Sequence, residues 1–347
     1  MDEIKIICQK FFPGKKVQQT QHISGGHINA TFKVTFANGE SYILQAVNNN
    51  VFKDPFAVMS NIQSIVDHLI EKKYPLKILK PISSQNGFLE KDKSGNYWRA
   101  FPFIENTLVF EKVTSPKLAF EAALAFGLFA KHLVEINLKS IVETIPHFHD
   151  LPYRLDLFDK VFEEDATNRK KNSEEEIAAI LKWRDQLKFD FEKMPLRVVH
   201  NDTKISNVLL DKEELKGVCV IDLDTVMPGF LVTDFGDMIR TMCCTASEEE
   251  NNLDKVEIDV EIYRATATGF LDATKTILTP QEKDNLINGG IYIIFEQALR
   301  FLSDYLQGDI YYQVQKEDQN LLRARNQIKL LQSLLNKKND LNINSLF

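Results

Sequence analysis

The sequence predicts an α+β fold of two lobes, in which a small antiparallel sheet precedes a larger, mainly helical part. Three observations lead to this prediction: apolar and polar residues alternate between residues 17 and 47, apolar stripes at helical spacing follow after about residue 105, and 347 residues are enough for two units. Hydrophobic residues make up 44% of the chain, so the composition excludes a disordered or low-complexity protein. We place the lobes at residues 1–103 and 104–347.

The charge balance argues against nucleic acids and membranes as partners. The chain has 42 Lys and Arg against 49 Asp and Glu, a net charge of −7, so it has no overall positive field to hold a polyanion. The longest apolar stretch, residues 118–138, contains charged residues and cannot span a bilayer. The acidic start does not resemble a secretory signal, and the 4 Cys fit neither a disulfide framework nor a CxxC metal site. We therefore expect a cytoplasmic protein with reduced thiols.

The first lobe is predicted to begin with a β-hairpin. Phe32, Val34 and Phe36 alternate with polar residues, Asn38-Gly39 supplies a tight turn, and residues 42–47 return as the second strand. These segments are close in sequence, so the pairing needs no distant partner.

A helix is predicted to follow the hairpin at Asp54-Pro55, because aspartate can cap a helix and proline suits its first position. Short β-like segments at residues 78–82, 87–91 and 97–103 would complete the sheet. Residues 103–106 would then connect the two lobes.

The second lobe is predicted to be mainly helical. Ser115-Pro116 begins a helix with one apolar stripe, and we interpret the charge-rich residues 163–193 as a pair of solvated helices, with a linker as the alternative. Capping-box spacing precedes two further helical patterns, at Ser173 with Glu176 and at Thr279 with Glu282.

Three short strands are predicted within the helical part, at residues 196–199, 207–210 and 217–221. Phosphoryl transfer from a nucleotide needs a carboxylate that accepts the proton of a hydroxyl, oxygen ligands for Mg²⁺, and positive charge near the transferred group. Asp202 lies in the loop between the first two strands and can be that carboxylate. Asn207 and Asp222 can bind the cation, and Lys204 can reach the phosphate. A simple turn is the alternative for Asp202 and Asn207, but the strand context favours catalysis.

Other polar residues near these strands leave alternatives open. Asp224 is either a further metal ligand or a brace for its loop. We interpret His200 as a brace and residues 234–237 as structural support for the loops. His147 and His149 have the spacing of a metal chelate, but without identifiable acidic or cysteine partners they are interpreted as loop residues.

The chain resembles the aminoglycoside phosphotransferase and choline kinase superfamily, and within it most closely the N-acetylhexosamine 1-kinases. The most specific block is Ile-Asp-Leu-Asp-Thr-Val-Met-Pro-Gly at residues 221–229. The resemblance implies a two-lobed protein-kinase-like fold, with ATP and Mg²⁺ as cofactors. It also implies transfer of the γ-phosphoryl group to the anomeric hydroxyl of N-acetylglucosamine or N-acetylgalactosamine. The other blocks that carry it are residues 24–29, 42–45, 50–55, 200–207, 234–237 and 299–309.

The nucleotide is expected between the lobes. The amides of the glycine-containing turn at residues 24–26 can approach phosphate oxygens, although a plain turn is the alternative. Kinases of this fold usually carry a lysine in the third strand, where this chain has Gln45, so metal, loop amides, Lys33 or Lys53 would have to supply the charge. The expected nucleotide-binding residues are Ser24, Gly25, Gly26, Gln45, Phe103 and Ile104.

The acceptor site is implied by the resemblance alone. His27, Arg300 and Tyr311 would contact the sugar beside Asp202; packing in its loop is the alternative for His27, and a salt bridge or solvent is the alternative for Arg300. Two other functions stay open. One is a kinase of the same fold that acts on choline or an aminoglycoside. The other is a nucleotide-binding regulatory protein without turnover, suggested by the missing lysine.

Overall fold

A computed structural model describes residues 2–23 and 28–341. Five strands in its N-terminal part form an antiparallel sheet with the order β1-β2-β3-β5-β4. The predicted hairpin is confirmed, with Val34 opposite Tyr42 and Phe32 opposite Leu44. Its turn uses Gly39 at a φ of 86°, a conformation that glycine adopts without strain. The strands are β1 (Val17–Ile23), β2 (Ala30–Phe36), β3 (Ser41–Ala46), β4 (Glu90–Lys91) and β5 (Tyr97–Pro102).

Two helices pack with this sheet. Helix α1 (Asp2–Phe11) covers one face, where Ile7 and Phe11 contact a cluster that includes Phe36 and Leu44. Helix α2 (Pro55–Glu71) begins as predicted, because the Asp54 side chain accepts hydrogen bonds from the first helical N–H groups.

The predicted strand at residues 78–82 does not form. Only Ile82 pairs with the sheet, by a single bridge to Ala100, and Pro81 has no N–H to donate. Upstream, Lys77 donates its N–H to the carbonyl of Val218 in the C-terminal part. A distant partner therefore draws this segment away from the sheet. The segment predicted at 87–91 shortens to the two residues of β4.

The C-terminal part is mainly helical, which confirms the predicted fold class. The capping box at Thr279 and Glu282 is present. The one predicted at Ser173 is absent, because the Ser173 hydroxyl donates to two carbonyls of the preceding turn and Glu176 pairs with Arg325. The helices are α3 (Pro116–His132), α4 (Leu151–Glu164), α5 (Glu174–Gln186), α6 (Leu231–Met242), α7 (Val260–Thr274), α8 (Pro280–Gln307) and α9 (Gln319–Lys337).

The helix pair predicted for residues 163–193 was wrong. Helix α4 ends at Glu164, where Asp165 adopts a left-handed conformation, and only α5 lies within the range. Ile180 and Trp183 of α5 are buried, so this helix is packed on one side instead of solvated all round.

The three short strands predicted in the helical part are confirmed to within one residue at each end. One of them pairs with a strand that the sequence did not reveal, and another pairs with a short strand just after the connection between the lobes. The strands are β6 (Thr107–Leu108), β7 (Arg197–Val199), β8 (Val208–Asp211), β9 (Gly217–Val220) and β10 (Met227–Gly229).

Helices α6 and α8 cross at two glycines. A Cβ atom on Gly289 would lie 1.9 Å from the Val232 carbonyl oxygen, and one on Gly236 would lie 2.3 Å from the Gly289 carbonyl oxygen. The two backbones therefore touch directly. This crossing sets the spacing between two helices that both contribute to the site described below.

All four cysteines are free thiols, and three of them are buried. Across residues 2–23 and 28–341, no helix combines the length and the apolar character needed to cross a bilayer.

Candidate active site

The loop after β7 is held by hydrogen bonds to two carboxylates in the first turns of α6. The Asp234 carboxylate accepts hydrogen bonds from the N–H groups of His200 and Asn201, at 2.8 and 2.7 Å, and the Asp237 carboxylate accepts one from the N–H of Thr203, at 2.8 Å. These bonds use the helix carboxylates to satisfy buried loop donors. Residues 234–237 thus support the loop, as the sequence interpretation proposed.

His200 braces this loop from below. Its side chain is fully buried, and its Nε2 lies 3.0 Å from the Ile221 carbonyl oxygen, which can only accept. Its Nδ1 in turn accepts the N–H of Asp202 at 3.3 Å. Together these bonds require a neutral imidazole with its proton on Nε2. The expected bracing role therefore fits the contacts.

Asp202 projects from the loop into a charged environment. Its carboxylate lies 2.9 Å from Lys204 Nζ and accepts a 2.8 Å hydrogen bond from Asn207 Nδ2. Burial raises the pKa of Asp202, but the Lys204 charge and the hydrogen bonds from Lys204 and Asn207 outweigh it, so the pKa falls below its ordinary value. The carboxyl is therefore ionised at neutral pH, as a proton acceptor must be.

Asp222 follows β9 in a left-handed conformation, with φ 61° and ψ 57°. This conformation is unusual outside glycine and is often retained where a side chain must point in a required direction. Burial, together with the charges of Asp224 and Asp202, raises the pKa of Asp222 to about 7. Among the described residues, no hydrogen bond is made to its carboxylate. A positive charge at this position would reduce the repulsion between the Asp222 carboxylate and those of Asp224 and Asp202.

Asn207 and Asp222 suit a hard divalent cation. The two segments are adjacent, because the Ile221 N–H donates to the Asn207 carbonyl at 2.9 Å, and both side chains line the same cavity. The Asn207 amide nitrogen is engaged with Asp202, so its oxygen is the atom available for a metal. No cluster of three or more His, Cys, Asp or Glu side chains suited to a metal occurs within residues 2–23 and 28–341.

Asp224 has partners of its own. Its two carboxylate oxygens accept hydrogen bonds from Arg99 Nη1 and Nη2 at 2.6 and 2.9 Å, and Asn29 Nδ2 donates to it at 2.7 Å. Both members of the ion pair are 2% exposed. Of the two roles left open for Asp224, these contacts favour the brace.

A cavity of about 460 Å³ lies between the N-terminal sheet and the loops just described. One part of its lining is apolar and includes Ile43, Phe101 and Leu209, whereas another part is polar. The cavity brings together most of the predicted nucleotide and metal residues, namely Gln45, Phe103, Ile104, Asn207, Asp222 and Asp224. Of the two predicted catalytic residues, Lys204 lines it and Asp202 does not. The predicted residues Ser24, Gly25, Gly26 and His27 lie outside the described part of the chain.

Neither Lys33 nor Lys53 supplies charge beside Gln45. Lys33 Nζ stacks over the Phe103 ring, 3.6 Å from its centroid, and Lys53 is exposed. The cation next to Gln45 is Arg99, which donates from Nε to Gln45 Oε1 at 3.1 Å. Sequence reasoning missed it. The available signal was an arginine within the apolar strand Tyr-Trp-Arg-Ala-Phe-Pro, because a charge buried there needs a partner.

Arg300 and Tyr311 lie together at a second, smaller cavity of about 60 Å³. The Arg300 guanidinium is buried and makes one hydrogen bond of 3.3 Å, to Gln297 Oε1. Ser303 Oγ belongs to a residue that lines the same cavity, and it is buried without a hydrogen-bond partner among the described residues. The cavity thus offers unused polar groups to a ligand.

A buried ion pair between His149 and Glu296 connects this second cavity to the loop after β7. On the cavity side, Arg154 Nε lies 3.7 Å from Glu296 Oε1. His149 Nδ1 lies 2.7 Å from Glu296 Oε2, and its Nε2 lies 3.2 Å from the carbonyl oxygen of Asn201. Both partners are acceptors, so the ring must carry two protons. Burial lowers the pKa of His149, but the Glu296 charge outweighs it, and the pKa lies above its ordinary value. His149 was interpreted as a loop residue because Glu296 is distant in sequence.

A comparison with models of protein families identifies the family of this chain. The model of the phosphotransferase enzyme family matches residues 19–257. The chain belongs to this phosphotransferase family. The match includes the N-terminal sheet, the catalytic loop and α6, so the resemblance stated from the sequence is confirmed at the level of the family.

Solved structures of phosphotransferases share the fold across the whole chain. A spectinomycin phosphotransferase in complex with ADP and spectinomycin has 14% sequence identity and a TM-score of 0.61, over 96% of this chain and 98% of that one. An amicoumacin kinase in complex with AMP-PNP and Ca²⁺ has 14% identity and a TM-score of 0.60, over 95% and 93%. A microcompartment-associated aminopropanol kinase has 11% identity and a TM-score of 0.58, over the full length of both chains. These structures confirm the two-lobed protein-kinase-like fold.

Proposed function

We propose that this phosphotransferase is an ATP- and Mg²⁺-dependent small-molecule kinase that phosphorylates the anomeric hydroxyl of an N-acetylhexosamine. The observation that carries the proposal is the pairing of Asp202 with Lys204 and Asn207, which together with Asp222 line a cavity between the two parts of the fold; Asp202 itself is not one of the lining residues. This arrangement supplies an ionised base, a cation for the transferred group and oxygen ligands for a metal.

Asp202 orients the acceptor hydroxyl and takes its proton as the oxygen attacks phosphorus. Its lowered pKa keeps it ionised, and the Asn207 amide fixes one of its oxygens. The other oxygen is left to accept the hydroxyl proton. His200 holds the N–H of this residue and leaves the carboxylate free for substrate.

Lys204 provides positive charge for the phosphoryl group. Burial lowers its pKa, but Asp202 and Asp222 outweigh burial and raise the pKa above its ordinary value, so the ammonium stays charged. Asn207 and Asp222 would hold Mg²⁺, which supplies charge neutralisation for the nucleotide phosphates. Asp224 keeps the following turn in place through its bonds to Arg99.

The nucleotide occupies the larger cavity. Its apolar lining suits a base, and Phe103 and Ile104, at the connection between the lobes, offer backbone groups to the base edge. Gln45 lies at the polar end with Arg99. The glycine-containing turn at residues 24–26 stays a proposed phosphate contact.

Arg300 and Tyr311 bind the sugar at the smaller cavity. A guanidinium has five donors, and Arg300 makes one hydrogen bond to the described part of the chain, so it can donate to several hydroxyls. Ser303 Oγ can add a further bond, and the Tyr311 side chain is 54% exposed. His27 stays a proposed sugar contact.

The charges of this cavity oppose a cationic acceptor such as choline or an aminoglycoside. Arg154 and Arg300 line it, whereas the Asp304 carboxylate already accepts bonds from Tyr311 N–H, Tyr312 N–H and an asparagine. The aromatic faces are also in use, since the Arg300 guanidinium lies 5.8 Å from the Tyr311 centroid and 5.7 Å from that of Tyr312. A neutral polyhydroxyl ligand fits these groups better.

An acceptor panel tests the proposal. The purified protein, ATP and Mg²⁺ are incubated with N-acetylglucosamine, N-acetylgalactosamine, their 1-O-methyl glycosides, choline and kanamycin, and ADP release is measured. We expect ADP only with sugars whose anomeric hydroxyl is free, and ³¹P NMR should identify a sugar 1-phosphate. ADP release with choline or kanamycin instead would support the alternative of a choline or aminoglycoside kinase with the same fold. Nucleotide binding with no turnover on any acceptor would support the regulatory one.

A further inference from the structure

A row of polar side chains crosses the sheet face that borders the larger cavity. Gln45 stands opposite Thr31 on β2 and opposite Arg99 on β5. Gln45 Nε2 donates to Thr31 Oγ1 at 3.0 Å, and Arg99 Nε donates to Gln45 Oε1 at 3.1 Å. The neighbouring row is apolar, with Ile43 opposite Phe101. The sheet therefore presents one polar and one apolar level to the cavity.

Arg99 is the cation of the polar row. Its Nη1 and Nη2 bind the two oxygens of Asp224, and both side chains are 2% exposed. Its other contact is a weak one, at 4.0 Å from the Met59 sulfur. Three of the five guanidinium donors are thus bound to oxygen and a fourth makes only the weak sulfur contact, so one Nη2 donor of this cavity-lining residue is unengaged by the described residues.

Protein kinases hold the nucleotide phosphates with a β3 lysine that a helix glutamate orients. This chain has neither residue. Gln45 takes the strand position, and Met59 is the α2 residue that contacts Arg99. The acidic residues of α2, Asp67 and Glu71, are exposed. The Arg99–Asp224 pair resembles the lysine–glutamate pair of protein kinases, because a buried carboxylate orients a buried cation. Here the cation lies on β5 and the carboxylate in the turn after β9.

We propose that Arg99, held by Asp224, binds the nucleotide phosphates in place of the missing lysine; this inference rests on the proposed ATP-dependent function. Arg99 and Phe101 lie on the same face of β5, and Phe103 follows at the connection. Four residues of extended chain span about 13 Å. A nucleotide with its base beside Phe103 can therefore place its phosphates at Arg99.

Calorimetric binding of ADP and of adenosine, both in EDTA, tests the proposal without turnover or metal. The variants are Arg99→Met and Arg99→Lys. The matched control is Arg197→Met, because Arg197 makes a comparable buried two-bond pair with Glu282 away from this cavity. Circular dichroism confirms that each variant is folded.

We expect Arg99→Met to weaken ADP binding about tenfold or more, since charged hydrogen bonds to phosphate are lost, and adenosine binding less than twofold. Arg99→Lys should recover part of the ADP affinity, because lysine keeps the positive charge but lacks the planar, two-pronged donor geometry of the guanidinium. Arg197→Met should leave the ratio of the two affinities unchanged.

Equal losses for ADP and adenosine, or no loss for either, would overturn the role of Arg99 while leaving the proposed kinase intact. A wild-type protein that binds neither ligand would overturn the proposed function and this inference with it. If Arg99→Met does not fold, Arg99→Lys decides: an ADP-to-adenosine affinity ratio equal to that of the wild type overturns the proposal, and a ratio lowered by about threefold or more supports it.

Discussion

The amide nitrogen of Asn207 donates two hydrogen bonds to Asp202, one to its main-chain carbonyl and one to its carboxylate, both 2.8 Å long. A single side chain thus fixes the orientation of the proposed base and keeps its own oxygen for a cation. Base and metal position are consequently coupled. A change at either residue should affect both.

Asp202→Asn should lower kcat by about 10²- to 10⁴-fold, because the variant cannot accept the hydroxyl proton. ATP affinity should change little, because Asp202 does not line the cavity that we propose for the nucleotide. Steady-state kinetics with the best acceptor of the panel measure this. The control is Asp272→Asn, which removes an exposed carboxylate of α7. Turnover near that of the wild type in Asp202→Asn would remove the assigned role.

Removal of divalent cations with EDTA should abolish ADP formation, and Mg²⁺ should restore it. Asp222→Asn should raise the Mg²⁺ concentration needed for half-maximal activity by about tenfold or more, because the ionised ligand is lost. Asp211→Asn, at the last residue of β8, serves as the control. An unchanged Mg²⁺ dependence in Asp222→Asn would show that the cation binds elsewhere.

Arg300→Met should raise the KM for the sugar about 10- to 100-fold, the effect of losing one or two charged hydrogen bonds. The KM for ATP should stay constant, since Arg300 lines only the smaller cavity among the described pockets. Arg325→Met, on α9 and paired with Glu176, is the control. Equal increases in both KM values would contradict a sugar-specific role.

His149→Gln should destabilise the protein more at pH 6 than at pH 9. The pKa of His149 is raised in the folded state, so its ion pair with Glu296 stabilises fully below about pH 6.5 and is lost as the pH rises through the folded pKa. Arg300, Arg154, Asp237 and Glu296 are the charged groups around it and are unchanged in the variant.

The loss at pH 6 should reach about 3 kcal/mol, as expected when one partner of a buried pair is removed. Urea unfolding at the two pH values measures it. His22→Gln, on the exposed edge of β1, is the control. A destabilisation of the same size at both pH values would mean that the ring is neutral.

Gly289→Ala should lower the free energy of unfolding by about 2–3 kcal/mol, because its Cβ would lie 1.9 Å from the Val232 carbonyl oxygen and the helices must separate. Asp284→Ala, at an exposed position of the same helix, should have little effect. Thermal unfolding compares the two variants. A fully stable Gly289→Ala would show that the α6–α8 contact can relax.

Features encoded by neighbouring residues were predictable from the sequence. The hairpin, the Asp54 cap and the three strands around Asp202 depend on alternation and capping within a few residues, and all were found. The positions of Asn207 and Asp222 at strand ends follow from the same local signals.

The contacts that complete the site were not predictable in this way. Arg99 and Asp224 are 125 positions apart, and His149 and Glu296 are 147 apart. No local pattern marks such partners, and a buried charge in an apolar segment is the only sequence signal they leave. The lost strand at residues 78–82 has the same origin, since the residue just before it, Lys77, donates its N–H to the distant carbonyl of Val218.

The glycine crossing between α6 and α8 constrains how acceptor preference can be altered. Helix α6 carries the carboxylates that bind the loop of Asp202, and α8 carries Arg300. Backbone contact at Gly236 and Gly289 therefore fixes the distance between Asp202 and Arg300. Redesign for larger or smaller acceptors must therefore replace side chains at the mouth of the pocket, such as Tyr311. A displacement of the whole of helix α8 would also disturb the position of Asp202.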